Sequence, residues 1–163
     1  MSVVDLREKL GGAPHSKQSL RLWLRLLSCA TVIEKRLRNN LAKDFHTTLP
    51  RFDVLSALER NPKGLTMGAL SSALMVSNGN VTGVVNRLIK DGLIIREVDA
   101  KDRRTFRVRL SPQGKKDFAA MAKVHEGWVD AMFAELSNAE IEALMEQLAR
   151  LRQSVAQAEK KSG

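Results

Sequence analysis

The chain has 163 residues, 44% of them hydrophobic, with 27 Lys and Arg against 18 Asp and Glu. That is enough apolar material for one packed domain, or one domain with a dimerisation extension, and too much for a disordered chain. No apolar run approaches the roughly 18 residues of a membrane span, and Asp5, Arg7, Glu8 and Lys9 interrupt any N-terminal signal region, so a cytoplasmic protein is expected. The positive charge is localised. Residues 1–60 hold eleven Lys/Arg against six Asp/Glu, residues 61–110 nine against four, and residues 111–163 seven against eight. A basic front and a near-neutral rear are the footprint of a polyanion binder. The single cysteine, Cys29, excludes an internal disulfide.

Residues 1–15 end in Gly-Gly-Ala-Pro-His and read as a mobile arm or a short helix. Ser16 to Ala42 has two apolar stripes. One is Leu20, Trp23, Leu24 and Leu27, the other Leu22, Leu26, Cys29, Ile33 and Leu37, so this helix is buried on two sides. Asp44 to Leu49 is a connection, and Pro50 opens a helix to about Arg60 that buries Phe52, Val54, Leu55 and Leu58. Asn61-Pro62-Lys63-Gly64 is a turn. Thr66 then caps a short helix with Leu70 and Leu74 inward.

Ser77 to Gly92 is the most informative stretch. Val81, Val84, Val85, Leu88 and Ile89 form one apolar stripe, with Ser77 as N-cap and Gly92 as the stop. The opposite face carries Asn78, Gly79, Asn80, Thr82, Gly83, Asn86, Arg87 and Lys90, with no carboxylate before Asp91. Amides bond adenine edges, Arg reads guanine and Thr meets a thymine methyl. Each glycine costs a helix interior about 1 kcal/mol relative to Ala. Gly79 and Gly83 therefore suggest a face that something bulky, such as a DNA major groove, approaches closely. The plainer alternative is a loosely built surface helix. Two short helices joined by a tight turn, the second with a polar outer face, form a helix-turn-helix.

The period then changes to two. Leu93 to Val98 and Thr105 to Leu110 make a β-hairpin, with Phe106, Val108 and Leu110 on its packed side and Thr105, Arg107 and Arg109 on a cationic side. Five of the nine residues from Lys101 to Arg109 are Lys or Arg, so the hairpin suits a wing laid along a phosphate backbone. The alternative is a solvated basic edge that blocks aggregation. Ser111-Pro112 starts a helix with Phe118, Met121, His125, Trp128 and Met132 in register. Ser137 opens the last, with Ile141, Leu144, Leu148, Leu151 and Val155. The near-neutral charge of these two seams suits a subunit interface.

The wing carries Asp102-Arg103-Arg104 followed by Val108-Arg109-Leu110-Ser111-Pro112-Gln113-Gly114, preceded by Gly79-Asn80-Val81-Thr82 and Asp91-Gly92-Leu93. In this order and with these motifs, residues 16–155 resemble the MarR family of bacterial transcription regulators; Ser111 stands where that family usually has Thr. The resemblance implies a mostly α fold with a small antiparallel β-hairpin wing. It implies a winged helix-turn-helix homodimer with long N- and C-terminal dimerisation helices. An arm over 1–15, a dimerisation region over 16–49 and 111–163, and a DNA-binding domain over 50–110 follow. It also implies a small-molecule pocket between the two regions. Leu20–Leu27 with Thr47-Thr48-Leu49-Pro50-Arg51-Phe52 is similar to members that govern aromatic-compound catabolism.

The candidate DNA contacts are Asn78, Asn80, Thr82, Asn86 and Arg87 in the groove, with Gly79 and Gly83 allowing close approach. Ser77 and Thr66 are placed on phosphate, and Lys101, Arg103 and Arg104 on the wing, with Asp102 orienting Arg104. The candidate ligand set is Arg21, Trp23, Arg25, His46, Arg51 and Phe52, cations beside aromatic rings that suit an aromatic carboxylate or an aryl-coenzyme A. The alternative is surface arginines over core aromatics. Cys29, on an apolar stripe and in a chain without tyrosine, is expected to be a buried structural cysteine rather than an oxidant sensor. His15, His46 and His125 lie too far apart in sequence for a metal motif, and no nucleophile motif or phosphate-cradling loop is present, so neither cofactor, metal nor catalysis is expected. The leading expectation is a ligand-responsive regulator, a repressor, on a pseudo-palindromic double-stranded operator. The competing one is a non-specific or architectural DNA-binding protein.

Overall fold

The structure, a computed structural model, describes the backbone of residues 14–74 and 78–162 and the side chains of 17–74 and 80–161. Its elements in chain order are α1 (Pro14–Phe45), α2 (Leu49–Glu59), β1 (Leu65–Thr66), α3 (Met67–Leu74), α4 (Asn78–Lys90), β2 (Ile94–Val98), β3 (Phe106–Leu110), α5 (Pro112–Met132) and α6 (Asn138–Ser162). The chain divides into two compact units, Met1–Ala122 and Lys123–Gly163. The first helix is longer than its apolar stripes predict. It takes in Pro14 and His15, which the sequence assigned to the arm, and runs on to Phe45. The rest of that arm lies outside the described residues.

In the first unit α2 is central. Phe52, Val54, Leu55, Ala57 and Leu58 are all buried, so the helix is covered on more than one side. Thr48 caps it, its Oγ1 accepting from the Arg51 N–H at 3.4 Å, and Pro50 sits in the first turn, where a missing N–H costs nothing. Leu37 and Leu41 of α1 join this core with Leu70 of α3 and Val81, Val85 and Leu88 of α4. Phe52 and Phe118 stack tilted at 5.4 Å.

The sheet has three strands, in the order β1-β3-β2, where the sequence shows only a hairpin. Strand β1 is two residues long, too short to display a period, and pairs Leu65 with Val108 and Thr66 with Arg107. It is delivered by Gly64, whose φ of +82° and close approach to the Val108 carbonyl oxygen leave no room for a Cβ. The hairpin register runs from Ile94 opposite Leu110 to Val98 opposite Phe106.

The junction between α4 and α5 is closely packed. Gly92 adopts φ +75°, and the Leu93 and Gly92 N–H groups donate back to Leu88 O and Ile89 O at 2.9 and 3.0 Å, a Schellman ending. Ser111 N–H donates to Leu93 O at 3.0 Å, and its hydroxyl donates to Gly92 O at 2.6 Å while accepting from Gly114 N–H at 2.9 Å. Gly114 lies against Leu93 so closely that a Cβ would overlap the Leu93 carbonyl.

Outside this core α1 is bare. Leu22, Trp23, Leu24, Leu27 and Val32 are exposed, and so is Cys29, which the apolar stripe predicted to be buried. The stripe is real, but the chain covers only its end: Leu37 is buried and Leu26 and Ile33 are half-buried, while Leu22 and Cys29 are exposed. In the second unit a capping box starts α6: Ser137 N–H donates to Glu140 Oε2 at 2.8 Å, and Glu140 N–H donates to Ser137 Oγ at 3.3 Å. The Ser137 N–H, and then the Ser137 hydroxyl, which also donates to Glu140 Oε2 at 2.8 Å, hold the Glu140 carboxyl below its ordinary range. His125 meets Trp128 edge-on at 6.4 Å, and burial lowers its pKa. Leu144, Met145, Leu148 and Val155 of α6 are exposed.

Gly114→Ala should destabilise the protein by about 1–3 kcal/mol, because the added methyl has backbone rather than a mobile side chain to displace. Urea unfolding measures this, and an unchanged midpoint would show that the α4–α5 junction is not closely packed.

Candidate nucleic-acid interface

Helix α4 packs against α2 and α3 through Val81, Val85 and Leu88, with Val84 and Ile89 half-buried. That burial turns Asn80, Thr82, Gly83, Asn86, Arg87 and Lys90 outward, and all six are exposed. A Cβ at Gly83 would meet nothing within 4 Å, so packing does not demand a glycine there. Ser77 lies outside the described residues. Asn78 and Gly79 begin the helix, and their side chains also lie outside the description. Thr66 is the N-cap of α3, its Oγ1 accepting from Ala69 N–H at 3.2 Å.

The wing differs from its sequence reading in where its charge is free. Asp99 is buried, and its carboxylate accepts from Lys101 N–H at 2.7 Å, Asp102 N–H at 3.3 Å and Arg107 Nε at 2.6 Å. Arg107 also donates to Gly64 O at 3.0 Å, tying the hairpin to the turn before β1. Arg109 pairs with Glu97 at 2.6 Å. The side expected to be uniformly cationic therefore has a largely neutralised shaft, while Lys101, Arg103 and Arg104 stand exposed at the tip. Asp102, expected to orient Arg104, accepts from the Arg104 backbone N–H on its Oδ1 at 2.9 Å and so shapes the turn. On the other side of the hairpin Arg96 lies 3.6 Å over the Phe106 ring. These partnerships depend on strand register, which spacing alone does not reveal.

The Asp99 carboxyl is held below its ordinary value of 3.8, first by the Lys101 N–H and then by the Arg107 side chain. The Arg109 guanidinium holds Glu97 down in the same way, and Glu97 raises Arg109.

The predicted ligand residues separate. His46 and Arg51 line a cavity of about 280 Å³ together with Phe45, Thr47, Leu55, Leu93, Asp117, Ala120 and Met121. His46 has φ +50°, an uncommon conformation for a side-chain-bearing residue, at the reversal between α1 and α2. Arg51 reaches out of α2 to Asp91 Oδ2 at 2.7 Å, and Asp117 accepts from Gln113 Nε2 at 2.6 Å. Phe52 points into the core instead. Arg21, Trp23 and Arg25 lie 20 or more residues before Phe45 on the same helix, about 30 Å away at 1.5 Å per residue. They do not join this cavity within one chain.

The sequence reading named Asp91 and Leu93 only in the Asp91-Gly92-Leu93 motif and at element ends, and Asp117 not at all; their nearness to Arg51 and its cavity arises only in the fold. It also missed Asp53, in a second cavity of about 280 Å³ lined by Pro50, Val54, Leu74, Asn80, Val81 and Val84. Burial raises the Asp53 pKa, with Glu34 adding to the rise and Arg60 opposing it. Among the described residues no three of His, Cys, Asp and Glu cluster to hold a metal ion, and no helix is long and apolar enough to cross a membrane.

Comparison with known proteins places these features in a family. A family model described as MarR family matches residues 47–105, from just past α1 through β2 to the turn before β3. The transcriptional activatory protein BadR of Rhodopseudomonas palustris is 32% identical over 63% of this chain, which spans 59% of that relative's length. The HTH-type transcriptional regulator YkoM of Bacillus subtilis is 30% identical over 71% of this chain and 73% of its own. Among solved structures, a MarR family transcriptional regulator from Silicibacter pomeroyi superposes with a TM-score of 0.75 at 30% identity, covering 88% of this chain and 99% of that one.

Asp99 makes the wing acid-sensitive in a definite direction. Its folded pKa is depressed, so the unfolded chain binds the proton more readily. The stabilisation is complete above the ordinary value and fades as the pH falls through the lower folded one. Asp99→Asn should melt below wild type at neutral pH, and the gap should close in acid. Thermal melts across the acid range check this; a gap that stays constant would mean that Asp99 contributes no such ionic stabilisation.

Proposed function

The chain belongs to the MarR family of DNA-binding transcriptional regulators, which are not enzymes, and we propose that it acts as a ligand-responsive homodimer on a pseudo-palindromic operator. The observation that carries this reading is the exposed face of α4, amide- and cation-rich and free of carboxylates, followed directly by a wing whose free cations are at its tip. Asn78, Asn80, Thr82, Asn86 and Arg87 would meet base edges, with Gly79 and Gly83 keeping the helix surface low. Ser77 and Thr66 would meet phosphate at helix N-termini. Lys101, Arg103 and Arg104 would lie along the backbone or in the minor groove. The exposed apolar residues of α1 and α6 support a dimer, since they are the kind of surface a second subunit covers. Its two reading helices would enter grooves about one duplex turn apart.

The cavity beside Arg51 and His46 supports an effector that is apolar and anionic, since these two residues stand among walls of Phe45, Leu55, Leu93, Ala120 and Met121. A volume of about 280 Å³ suits an aromatic acid; the coenzyme of an aryl thioester would have to extend outside. Effector binding would release the operator and so relieve repression. The opposite sign is a second reading, favoured by the name of the BadR relative, a transcriptional activatory protein. A reporter driven from the operator, with and without the regulator, separates the two.

Competition tests the central reading. An operator fragment should displace the protein from its promoter at far lower concentration than random duplex does. Equal displacement would favour an architectural protein instead. Arg104→Ala should weaken binding on all sequences and reduce the salt dependence by about one unit of slope. An unchanged slope in filter binding would remove Arg104 from the contact set.

A further inference from the structure

The reading of the cavity as an effector site leaves open how an occupant would be felt at the DNA-binding helix. Two consecutive features at the end of α4 bear on the cavity. Leu93, whose N–H closes the Schellman turn on Leu88 O, is part of the cavity wall. Asp91, the residue just past α4, is held at 2.7 Å by Arg51, which lines the same cavity. The position of Asp91 makes that ion pair matter. A carboxylate at the C-terminal end of a helix faces the negative end of the helix dipole, so it is unfavourable there unless a cation compensates it. Both partners are partly shielded, with side-chain exposures of 23% for Arg51 and 49% for Asp91.

We propose that Arg51 is a shared cation: it holds Asp91 at the end of the DNA-reading helix, and a carboxylate bound in the cavity competes with Asp91 for it. The proposal rests on the effector reading above and adds the coupling path to it. His46 is the other titratable donor in the cavity, and Asp117 is already engaged by Gln113. Arg51 is therefore the cation that a carboxylate occupant meets, and Asp91 its competitor. Released, Asp91 repels the helix end that it terminates, and the adjoining Leu93 responds both to this and to the occupant. Asp91 is thus a positioning residue; it need touch neither DNA nor ligand. The coupling is reciprocal, so whatever benzoate costs the operator, the operator costs benzoate.

The test uses benzoate as probe, titrated calorimetrically into the full-length protein with and without operator duplex. Asp91→Asn removes the competitor and keeps a residue suited to a helix end. It should bind benzoate roughly five-fold more tightly or better than wild type, a coupling of ordinary size. Its ratio of benzoate Kd values with and without operator should move toward one. Arg51→Gln should lose benzoate affinity in both states. Mere structural damage at position 91 would not tighten ligand binding, and Asp91→Ser removes the same charge should the Asn variant fold poorly. Benzoate affinity equal in wild type and both Asp91 variants overturns the exchange while leaving the effector reading intact. No benzoate binding to any of them overturns the aromatic-acid reading of the cavity, and the exchange with it.

Discussion

The turn at Asp91-Gly92-Leu93 is the constraint on which the rest of the first unit depends. Helix α4 must stop there, the wing must start there, and α5 must pack there. Gly92 supplies a positive φ that other residues adopt at a cost, and Gly114 supplies an absence of side chain that allows α5 to lie on the Leu93 carbonyl. Ser111 joins the two with bonds to Gly92 and Leu93. The start of α5 is thus tied to the end of α4 by one backbone hydrogen bond and by the Ser111 hydroxyl, as well as by close backbone contact at Gly114. This is the geometry expected of a unit in which one helix must be presented at a defined angle to a rigid duplex.

Charge is arranged on the same logic. The wing keeps its shaft together with internal pairs, Asp99 with Arg107 and Glu97 with Arg109, and leaves Lys101, Arg103 and Arg104 at its tip. Cations engaged by carboxylates stiffen a hairpin but contribute little to attracting phosphate, whereas exposed tip cations do the reverse. The buried Asp99 carboxylate, satisfied by two backbone N–H groups and a guanidinium, shapes the turn that displays them.

The parts of the structure with a sustained period were legible in the sequence. The two faces of α4 follow from Val81, Val85 and Leu88, and the hairpin from the alternation of Phe106, Val108 and Leu110. Strand β1 was not legible, because two residues carry no period and Leu65–Thr66 is a strand only by pairing with β3. The roles of Arg107 and Arg109 were hidden for a related reason: their partners, eight and twelve residues away, are set by register. Cys29 shows the converse. Its stripe was read correctly as apolar, but apolarity does not say whether the cover comes from the same chain. Half of the ligand set lies apart from the rest within one chain, since Arg21 and Arg25 share chemistry with Arg51 but sit 20 or more residues before Phe45 on the same helix.

The central claim is that the outward face of α4 lies against DNA, and Gly83 is where it is most exposed to test. The fold has no need of a glycine at that position, and a larger residue should favour the helix. Operator affinity and melting temperature measured together on Gly83→Leu decide the matter. The account predicts a melting temperature at or above wild type, with operator affinity falling toward that for random duplex, a loss on the order of 10³-fold. Operator affinity equal to wild type in that stable variant would contradict it.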